Sequence, residues 1–455
     1  MEDVSPGLAS DQRPRIPRDT LHFLANEGHG ALLSAAPTVH ARPRLDRWGV
    51  AATVLGNALE FYDFLAYAAF SVYIGRAFFP GGSALTSLLL SLATFGVGFF
   101  TRPLGAVLIG AYADRAGRRP ALMITIALMT VGTLGLVLTP SYASIGVAAP
   151  VILVVARLVQ GFALGGEIGP STAVLLESAP AGRRGLFISW QGASQGLAIL
   201  ASGVVGLLLA TTLSKQQLGD WGWRVPFALG LLIVPVGFLI RSRLPETQTA
   251  RGARSGPEVL RLLARDHRAS LGLAVMIIMS LTVSTYVTNY MTTYALTVLH
   301  MPAASAVWGT LVNGATLTLG MLIGGRLSDR FGRKPVMIVP RVALILVIYP
   351  AFLFLVRHPT LASLALVTGA LTLIGALGSA AALAALTEVF PTAVRASGLA
   401  ISYAVAVSLF GGTTQFVIAW FIAVSGDPLA PAYYVMVTST ISLWAMVRLQ
   451  ETFRR

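Results

Sequence analysis

The chain has 455 residues, of which 55% are hydrophobic and only 11% are charged, about half the charged fraction of a soluble globular domain. So little polar surface excludes a water-soluble fold and indicates an integral membrane protein. The formal net charge of +14 does not indicate a nucleic-acid-binding protein, because the positive residues form short clusters between apolar stretches rather than one basic face.

Residues 1–45 precede the first apolar stretch and contain Pro, Gly and scattered charge, without a segment apolar enough for a signal peptide. We expect a disordered cytoplasmic tail here, and the alternative for the first 40 residues is a start codon assigned too early. The chain contains no cysteine, which excludes disulfides, zinc ribbons and thiol catalysis, and we expect no metal site.

Twelve apolar stretches follow, each close to the roughly 20 residues that a helix needs to cross a bilayer. Their length and the lack of strict alternation predict helices rather than strands. In chain order we call them span 1 to span 12, at about residues 48–75, 85–109, 121–139, 148–176, 186–212, 224–242, 269–298, 304–325, 336–356, 361–387, 396–424 and 431–449.

Residues 244–268 form the only long charged break, and they separate six spans from six. This predicts an N-terminal six-helix bundle at 46–243, a linker at 244–268, a C-terminal six-helix bundle at 269–450 and a short tail at 451–455. Arg and Lys concentrate in the linker and in the loops that follow spans 2, 4, 8 and 10. The positive-inside rule therefore places these segments and both termini in the cytoplasm, with the chain in a bacterial inner membrane.

Two motifs occur twice. The first, after spans 2 and 8, reads Gly110-x-x-x-Asp114-Arg115-x-Gly117-Arg118-Arg119-Pro120 and Gly325-x-x-x-Asp329-Arg330-x-Gly332-Arg333-Lys334-Pro335. The second, after spans 4 and 10, reads Glu177-x-x-Pro180-x-x-x-Arg184 and Glu388-x-x-Pro391-x-x-x-Arg395. Their offsets are 215 residues (329 minus 114) and 211 residues (388 minus 177). Nearly equal offsets indicate an internal duplication, and paired halves are typical of transporters whose site lies between them.

The residue types of these motifs predict a contact between the two halves. A Gly four residues before the Asp allows close helix approach, and a Gly three residues after the Asp allows a turn with positive φ. The Asp is suited to cap a neighbouring helix and to pair with Arg. We expect a cytoplasmic gate, although a positively charged loop with ordinary helix caps is the simpler interpretation. The gate candidates are Gly110, Asp114, Arg115, Gly117, Arg118, Glu177, Arg184, Gly325, Asp329, Arg330, Gly332, Arg333, Glu388 and Arg395.

The doubled Gly-x-x-x-Asp-Arg-x-Gly-Arg motif resembles the signature of the major facilitator superfamily. Four further segments resemble its metabolite:proton symporter family: 56–64 (GNALEFYDF), 102–105 (RPLG), 157–162 (RLVQGF) and 221–227 (WGWRVPF). Within that family, the segments 110–119, 189–195 (SWQGASQ) and 385–391 (ALTEVFP) are especially similar to the citrate and tricarballylate carriers. This resemblance implies an all-α fold of twelve transmembrane helices in two pseudo-symmetric bundles.

Charged residues inside a membrane are costly and by default functional. Glu60 and Asp63 in span 1 and Glu167 in span 4 are candidate proton carriers, because burial favours a neutral carboxyl whereas a nearby Arg favours a charged one. Arg102 in span 2 and Arg157 in span 4 are suited to bind carboxylates through their forked N–H groups. A fixed ion pair of Glu60 or Asp63 with Arg102 is the alternative interpretation.

Uncharged polar residues add to the candidate site. Span 7 is the most polar span, and four of its side chains at helical spacing predict one hydrogen-bonding wall. We expect the Gly192-x-x-x-Gly196 and Gly320-x-x-x-Gly324 pairs to pack helices. We expect Arg341 in span 9 to extend to the cytoplasmic surface. The substrate-binding candidates are Asn57, Arg102, Arg157, Gln160, Gln191, Gln195, Tyr286, Asn289, Tyr290, Tyr294 and Asn313.

These observations predict a secondary transporter that imports a small organic anion, most simply a di- or tricarboxylate, by proton symport with alternating access. The resemblance implies citrate or tricarballylate as the substrate. The alternatives are a carrier of another metabolite (2-oxoglutarate, shikimate, an aromatic acid, proline or betaine) or an exporter of the same fold. We expect no cofactor and no enzyme activity, and sodium in place of protons stays open. The expected partners are the lipid bilayer and the substrate, with no nucleic acid, and the expected state is a monomer.

Overall fold

The structure, a computed structural model, describes residues 47–116, 118–165, 175–176, 178–180, 182–242, 265–391 and 395–451. In these ranges the regular elements are helices. The spans comprise Arg47–Phe78 (span 1), Ala84–Phe100 and Arg102–Ala116 (span 2), Arg118–Leu138 (span 3), Ala148–Gly165 (span 4), Arg184–Thr212 (span 5), Val225–Ser242 (span 6), Arg268–Asn289 and Met291–Thr297 (span 7), Trp308–Phe331 (span 8), Arg333–Arg357 (span 9), Leu361–Val389 (span 10), Arg395–Ala406, Val407–Gly411 and Gly412–Ser425 (span 11) and Ala430–Arg448 (span 12). Short helices at Tyr142–Ile145, Lys215–Asp220, Gly222–Arg224 and Ala303–Ala306 lie in the connections.

The helices are long and apolar enough for a membrane. Within the described residues, nine helices satisfy both length and hydropathy for a crossing, and Met123–Leu138 in span 3 is a shorter apolar helix. Spans 1, 3 and 6 pack together in the N-terminal half, and spans 7, 9 and 12 pack together at the equivalent place in the C-terminal half. The predicted all-α membrane fold is therefore confirmed.

Glycines bring the two halves together along spans 5 and 8. A methyl group added at Gly196 would lie 2.9 Å from the carbonyl oxygen of Gly314, so only glycine permits this approach. Spans 2 and 11 meet in the same way, where a methyl group at Gly412 would lie 2.7 Å from the carbonyl oxygen of Gly96. Gly324 packs in turn against the backbone of Leu377 in span 10. The expected packing role of the paired glycines is confirmed.

Three spans are interrupted near their middle. Span 2 breaks at Thr101, whose hydroxyl donates to the carbonyl oxygen of Leu158 at 2.8 Å. Span 7 breaks at Tyr290, and span 11 contains a π-helical turn at Val407–Gly411. In that turn Ser408 donates to the carbonyl oxygen of Phe99 at 2.9 Å, which links the two halves. Irregular backbone at membrane depth is tolerated where protein groups satisfy it, so these breaks mark the interior of the bundle.

The second copy of the repeated motif forms a contact between the halves. The carboxylate of Asp329 accepts hydrogen bonds from the backbone N–H groups of Gly185 (2.7 Å) and Leu186 (2.9 Å), at the start of span 5. Arg333 donates to the same carboxylate at 2.9 Å and pairs with Glu388 at 3.0 Å. Asp329 thus caps a helix of the other half, as the motif predicts. We call the end of the bundle that carries this contact the motif end.

Some of the other motif residues lie within the described part of the chain, and others lie outside it. Gly332 has a φ of +96°, which confirms the predicted turn, and Gly325 packs against the backbone of Gly185. Arg184 and Arg330 are exposed. Gly117 and Glu177 lie outside the described residues, as do the side chains of Asp114, Arg115, Arg118 and Arg395 and the surroundings of Gly110.

The halves also touch at the opposite end of the bundle. The hydroxyl groups of Ser71 in span 1 and Thr293 in span 7 lie 3.1 Å apart, and Thr293 donates to the carbonyl oxygen of Ala68 at 3.2 Å. Because contacts close both ends, the polar residues between the halves are enclosed.

We expect Asp329→Asn to open the motif end more often. The change removes a charged helix cap and one partner of Arg333. We expect the fraction of molecules that are open at the motif end to rise about tenfold. The natural chain has no cysteine, so a single Ser189→Cys at this contact provides a clean probe. Its maleimide-labelling rate in proteoliposomes should rise about tenfold in the Asp329→Asn background.

The matched control is Asp220→Asn, an exposed acid in the connection before span 6. It should leave the labelling rate unchanged. Equal labelling rates in the Asp329→Asn and Asp220→Asn backgrounds would show that the Asp329 cap does not hold the motif end closed.

Candidate functional site

Arg102 and Arg157 lie in the interior of the bundle, where they are 4% and 0% exposed. Both guanidinium groups lie on the aromatic ring of Phe64, with their central carbons 4.5 and 4.7 Å from its centroid. Arg102 also lies 4.0 Å from the ring centroid of Phe99, and Arg157 lies 4.3 Å from that of Tyr67. The aromatic faces stabilise the two cations and hold them between spans 1, 2 and 4.

Neither arginine has an acidic partner in the described part of the chain, where the salt bridges lie elsewhere. The Nε and Nη2 groups of both arginines are buried and lack a hydrogen-bond partner. Buried charges of this kind are costly unless they are paired. Four buried nitrogen atoms around one ring therefore carry N–H groups that are free to donate.

A chain of hydrogen bonds connects Arg157 to Asp63. Arg157 donates to the side-chain oxygen of Gln160 at 2.7 Å, Gln160 donates to the hydroxyl of Thr133 at 2.9 Å, and Thr133 donates to Asp63 at 2.7 Å. The second carboxylate oxygen of Asp63 has no partner. It faces the backbone of Gly230 in span 6, where any added methyl group would collide with it. Asp63 is thus coupled to the arginine through neutral groups.

The Asp63–Arg102 ion pair offered as an alternative interpretation is absent from this structure. Asp63 bonds to Thr133, whereas Arg102 lies on aromatic rings beside the hydroxyl of Tyr286. The side chain of Glu60, and Glu167 with its neighbours, lie outside the described residues.

Asn57 and Gln191 form a second polar group between spans 1 and 5. Gln191 donates to the side-chain oxygen of Asn57 at 3.0 Å, and Asn57 donates to the hydroxyl of Ser194 at 2.5 Å. Gln195, one turn further along span 5, is only partly buried. Within the described residues this group is separate from the hydrogen-bond chain of Asp63.

The predicted single wall of span 7 is wrong. Tyr286 does face the arginines, since its ring lies 5.5 Å from that of Phe99. Asn289 instead accepts from Asn313 at 2.7 Å, and Tyr294 donates to the carbonyl oxygen of Pro428 at 2.8 Å. Tyr290 and Tyr294 belong to an apolar cluster formed mainly by the C-terminal half. The break at Tyr290 changes the direction of the later side chains, which regular helical spacing did not anticipate.

The structure adds residues that the sequence did not single out. Thr133 connects Gln160 to Asp63, and Tyr403 in span 11 lies near Arg102. Gln415, fully buried in span 11, has an unpartnered side-chain oxygen and donates to the backbone oxygen of Tyr286 at 3.4 Å. A glutamine in an apolar span was a usable signal for Gln415. The sequence did not single out Thr133 among the three threonines of span 3, because threonines commonly bond to their own helix.

The expectation for Arg341 is also wrong. Arg341 is 2% exposed and bonds to serines of spans 7 and 12 rather than reaching a surface. Local polar partners inside the bundle satisfy part of its hydrogen-bonding capacity, which removes the need to extend to a surface. Among the described residues, no group of His, Asp or Glu is arranged to hold a metal ion.

Comparisons with known proteins agree with this architecture. The family model described as Major Facilitator Superfamily matches residues 53–412. A citrate-proton symporter of Salmonella typhi is 35% identical over 90% of this chain and 95% of its own length. A citrate-proton symporter of Klebsiella pneumoniae is 36% identical over 86% of this chain and 88% of its own.

More distant relatives carry other names. A proline/betaine transporter of Escherichia coli (strain K12) is 34% identical over 90% of this chain and 84% of its own length. Among solved structures, the xylose transporter XylE from E. coli in a partially occluded inward open conformation superposes with a TM-score of 0.70, covering 90% of this chain and 98% of that one, at 18% identity. That likeness establishes the fold, and together with the family match it shows that the chain belongs to the major facilitator superfamily of membrane transporters.

Proposed function

We propose that this transporter carries a di- or tricarboxylate, with citrate and tricarballylate as the first candidates, by proton symport. The observation that carries the proposal is the pair of buried guanidinium groups, Arg102 and Arg157, whose free N–H donors lack an acidic partner among the described residues. Guanidinium forks bind carboxylates in two parallel hydrogen bonds, so a substrate with two or more carboxylates fits both arginines. The similarity to citrate-proton symporters supports the same substrate class.

A betaine or proline carrier is the second candidate, because such transporters are similar to this chain at 34% identity. A quaternary ammonium is usually held on aromatic faces. Here Arg102 and Arg157 lie on the faces of Phe64, Tyr67 and Phe99. A cationic substrate group would meet two like charges at these rings, which favours the anion over the betaine.

The coupling we propose runs from the substrate to Asp63 through Arg157. When a substrate carboxylate binds Arg157, the guanidinium turns toward it and its hold on Gln160 weakens. Thr133 and Asp63 then lose their connection to a positive charge, and the buried carboxyl of Asp63 takes up a proton more readily. A polyvalent anion entering against a negative-inside potential needs such accompanying positive charge. Glu60 and Glu167 remain candidates for further proton sites.

The transport cycle we propose is a rocking motion of two domains, 46–243 and 269–450, around this site. The Asp329 cap closes one end, and the Ser71–Thr293 contact closes the other. The clustered Arg and Lys support a cytoplasmic location for the motif end, both termini and linker 244–268, in a bacterial inner membrane. Residues 1–45 and 451–455 form the two cytoplasmic tails. We further propose that the transporter acts as a monomer, that it needs no cofactor, and that it works in the direction of import.

We expect proteoliposomes containing the wild-type protein to accumulate radiolabelled citrate or tricarballylate when an inward proton gradient is imposed. Arg157→Lys should reduce affinity about tenfold or more, because a point charge replaces one forked contact. The measurement is initial uptake against substrate concentration, with betaine, proline, 2-oxoglutarate and shikimate as parallel substrates and an imposed sodium gradient as the alternative driving force.

The control variant Arg357→Lys changes an exposed arginine at the opposite end of span 9 and should behave as the wild type. Accumulation of betaine or proline without accumulation of any carboxylate would contradict the proposed substrate. Uptake that follows only the sodium gradient would contradict the proposed coupling ion.

Asp63→Asn should separate coupling from binding. An asparagine imitates the protonated carboxyl, so the variant should exchange labelled for unlabelled citrate across the membrane but should not accumulate citrate along a proton gradient. Normal gradient-driven accumulation by this variant, at wild-type rates, would remove Asp63 from the coupling role.

A further inference from the structure

Arg341 defines a second buried cluster, whose residues differ from those that surround Arg102 and Arg157. It lies where spans 7, 9 and 12 meet in the C-terminal half, and its side chain is 2% exposed. Its Nη1 donates to the hydroxyl oxygens of Ser280 at 2.9 Å, Ser284 at 3.1 Å and Ser439 at 3.3 Å. Ser442 lies three residues after Ser439 in span 12, on the same side of that helix. We call Arg341, Ser280, Ser284, Ser439 and Ser442 the serine cluster.

The serine cluster lies near the middle of the membrane. Arg341 is eight residues after the first residue of span 9, Arg333, which places it about 12 Å from the motif end. Ser439 is nine residues before the last residue of span 12, Arg448, or about 14 Å from that end. A hydrocarbon core is about 30 Å thick, so this charge cannot reach water at either surface.

The hydrogen bonds of the serine cluster leave donors without acceptors. The proton of Ser284 is used on the carbonyl oxygen of Ser280 at 2.8 Å. The hydroxyl groups of Ser280 and Ser439 lie 3.2 Å apart and share one hydrogen bond, so one of their two protons is left over. Nη2 of Arg341 and the hydroxyl of Ser442 are buried and have no partner. The cluster therefore has a surplus of donors.

The positive charge of Arg341 is also unbalanced. No acidic side chain in the described ranges lies within salt-bridge distance of it, since the ion pairs found there involve Arg265 and Arg333. An arginine stays protonated inside a protein, so it cannot relieve this cost by losing a proton as a lysine does. Hydroxyl groups that accept from the guanidinium do not supply the missing negative charge.

The N-terminal half contains the opposite charge at the corresponding place. The repeat offset of 211 to 215 residues puts Arg341 in register with residues 126–130 of span 3, about one to two turns before Thr133. There Thr133 donates to Asp63, between spans 1, 3 and 6. Each half thus buries one charge where its three equivalent spans meet. A proton can neutralise Asp63, whereas only an anion can neutralise Arg341.

We propose that the serine cluster is a second binding site, for one small anion, either a halide or a single carboxylate group. Nη2 of Arg341, the hydroxyl of Ser442 and the spare proton of Ser280 or Ser439 are its donors. A bound anion balances the buried charge of Arg341 and stabilises the C-terminal half independently of substrate at Arg102 and Arg157. This inference does not rest on the proposed citrate transport, because it concerns different residues and is tested without transport.

The test is thermal unfolding of the purified protein in gluconate buffer at constant ionic strength, with sodium chloride or sodium citrate as the probe. Ligand that binds the folded state raises the melting temperature in a saturable manner. We expect chloride to raise it in the wild type and Arg341→Gln to abolish the response. Ser442→Ala removes one donor without adding bulk, and it should raise the apparent dissociation constant about tenfold.

Ser202→Ala is the matched control, since Ser202 of span 5 is also a buried serine with an unpartnered hydroxyl. It should respond to chloride as the wild type does. If citrate rather than chloride stabilises Arg157→Lys and fails to stabilise the double variant Arg157→Lys with Arg341→Gln, the site is a carboxylate site and the proposal stands. Equal responses of the wild type, Arg341→Gln and Ser442→Ala to both anions would overturn it.

Discussion

Two guanidinium groups, those of Arg102 and Arg157, lie inside a membrane-spanning bundle on the faces of the same phenylalanine ring. The cost of burying these charges constrains the surrounding structure. Aromatic rings of spans 1, 2 and 7 surround them, and Thr101 and Pro103 beside Arg102 interrupt span 2 at this depth. The unpartnered N–H groups of both arginines can bind a negatively charged substrate. A permanent acidic partner would occupy these groups and prevent an anion from binding.

The connection between the buried charges also explains how substrate binding is linked to the motion of the halves. Arg157 is tied to Asp63 only through the neutral side chains of Gln160 and Thr133, so the two charges sense each other without forming a locked ion pair. Among the described residues, polar contacts close each end of the bundle. A charged cap at Asp329 closes the motif end, and hydroxyl contacts close the other. Between them the halves approach closely at glycines of spans 5 and 8 and of spans 2 and 11. Such an interface separates at modest cost, as alternating access requires.

The number of spans, the helical fold and the duplication follow from the sequence, because apolar length and repeated motifs are local signals. The cap and ion pair of Asp329 were also predictable, since the residue types of the motif allow few other roles. Arg102, Arg157 and Asp63 were identified because membrane charges are rare. The sequence did not predict the division of span 7 at Tyr290 or the enclosure of Arg341 by serines, because both depend on how neighbouring helices pack. The role of Thr133 between Gln160 and Asp63 could not be predicted from the sequence for the same reason.

The central claim is that substrate carboxylates take the donors that Arg102 and Arg157 leave free. A cryo-electron microscopy structure of the protein with bound citrate tests this most directly. The account predicts carboxylate oxygens within hydrogen-bonding distance of Nη2 of both arginines, with the contact between Arg157 and Gln160 lengthened. Citrate bound away from both arginines, with the guanidinium groups still on Phe64 and the hydrogen bonds to Asp63 unchanged, would contradict it.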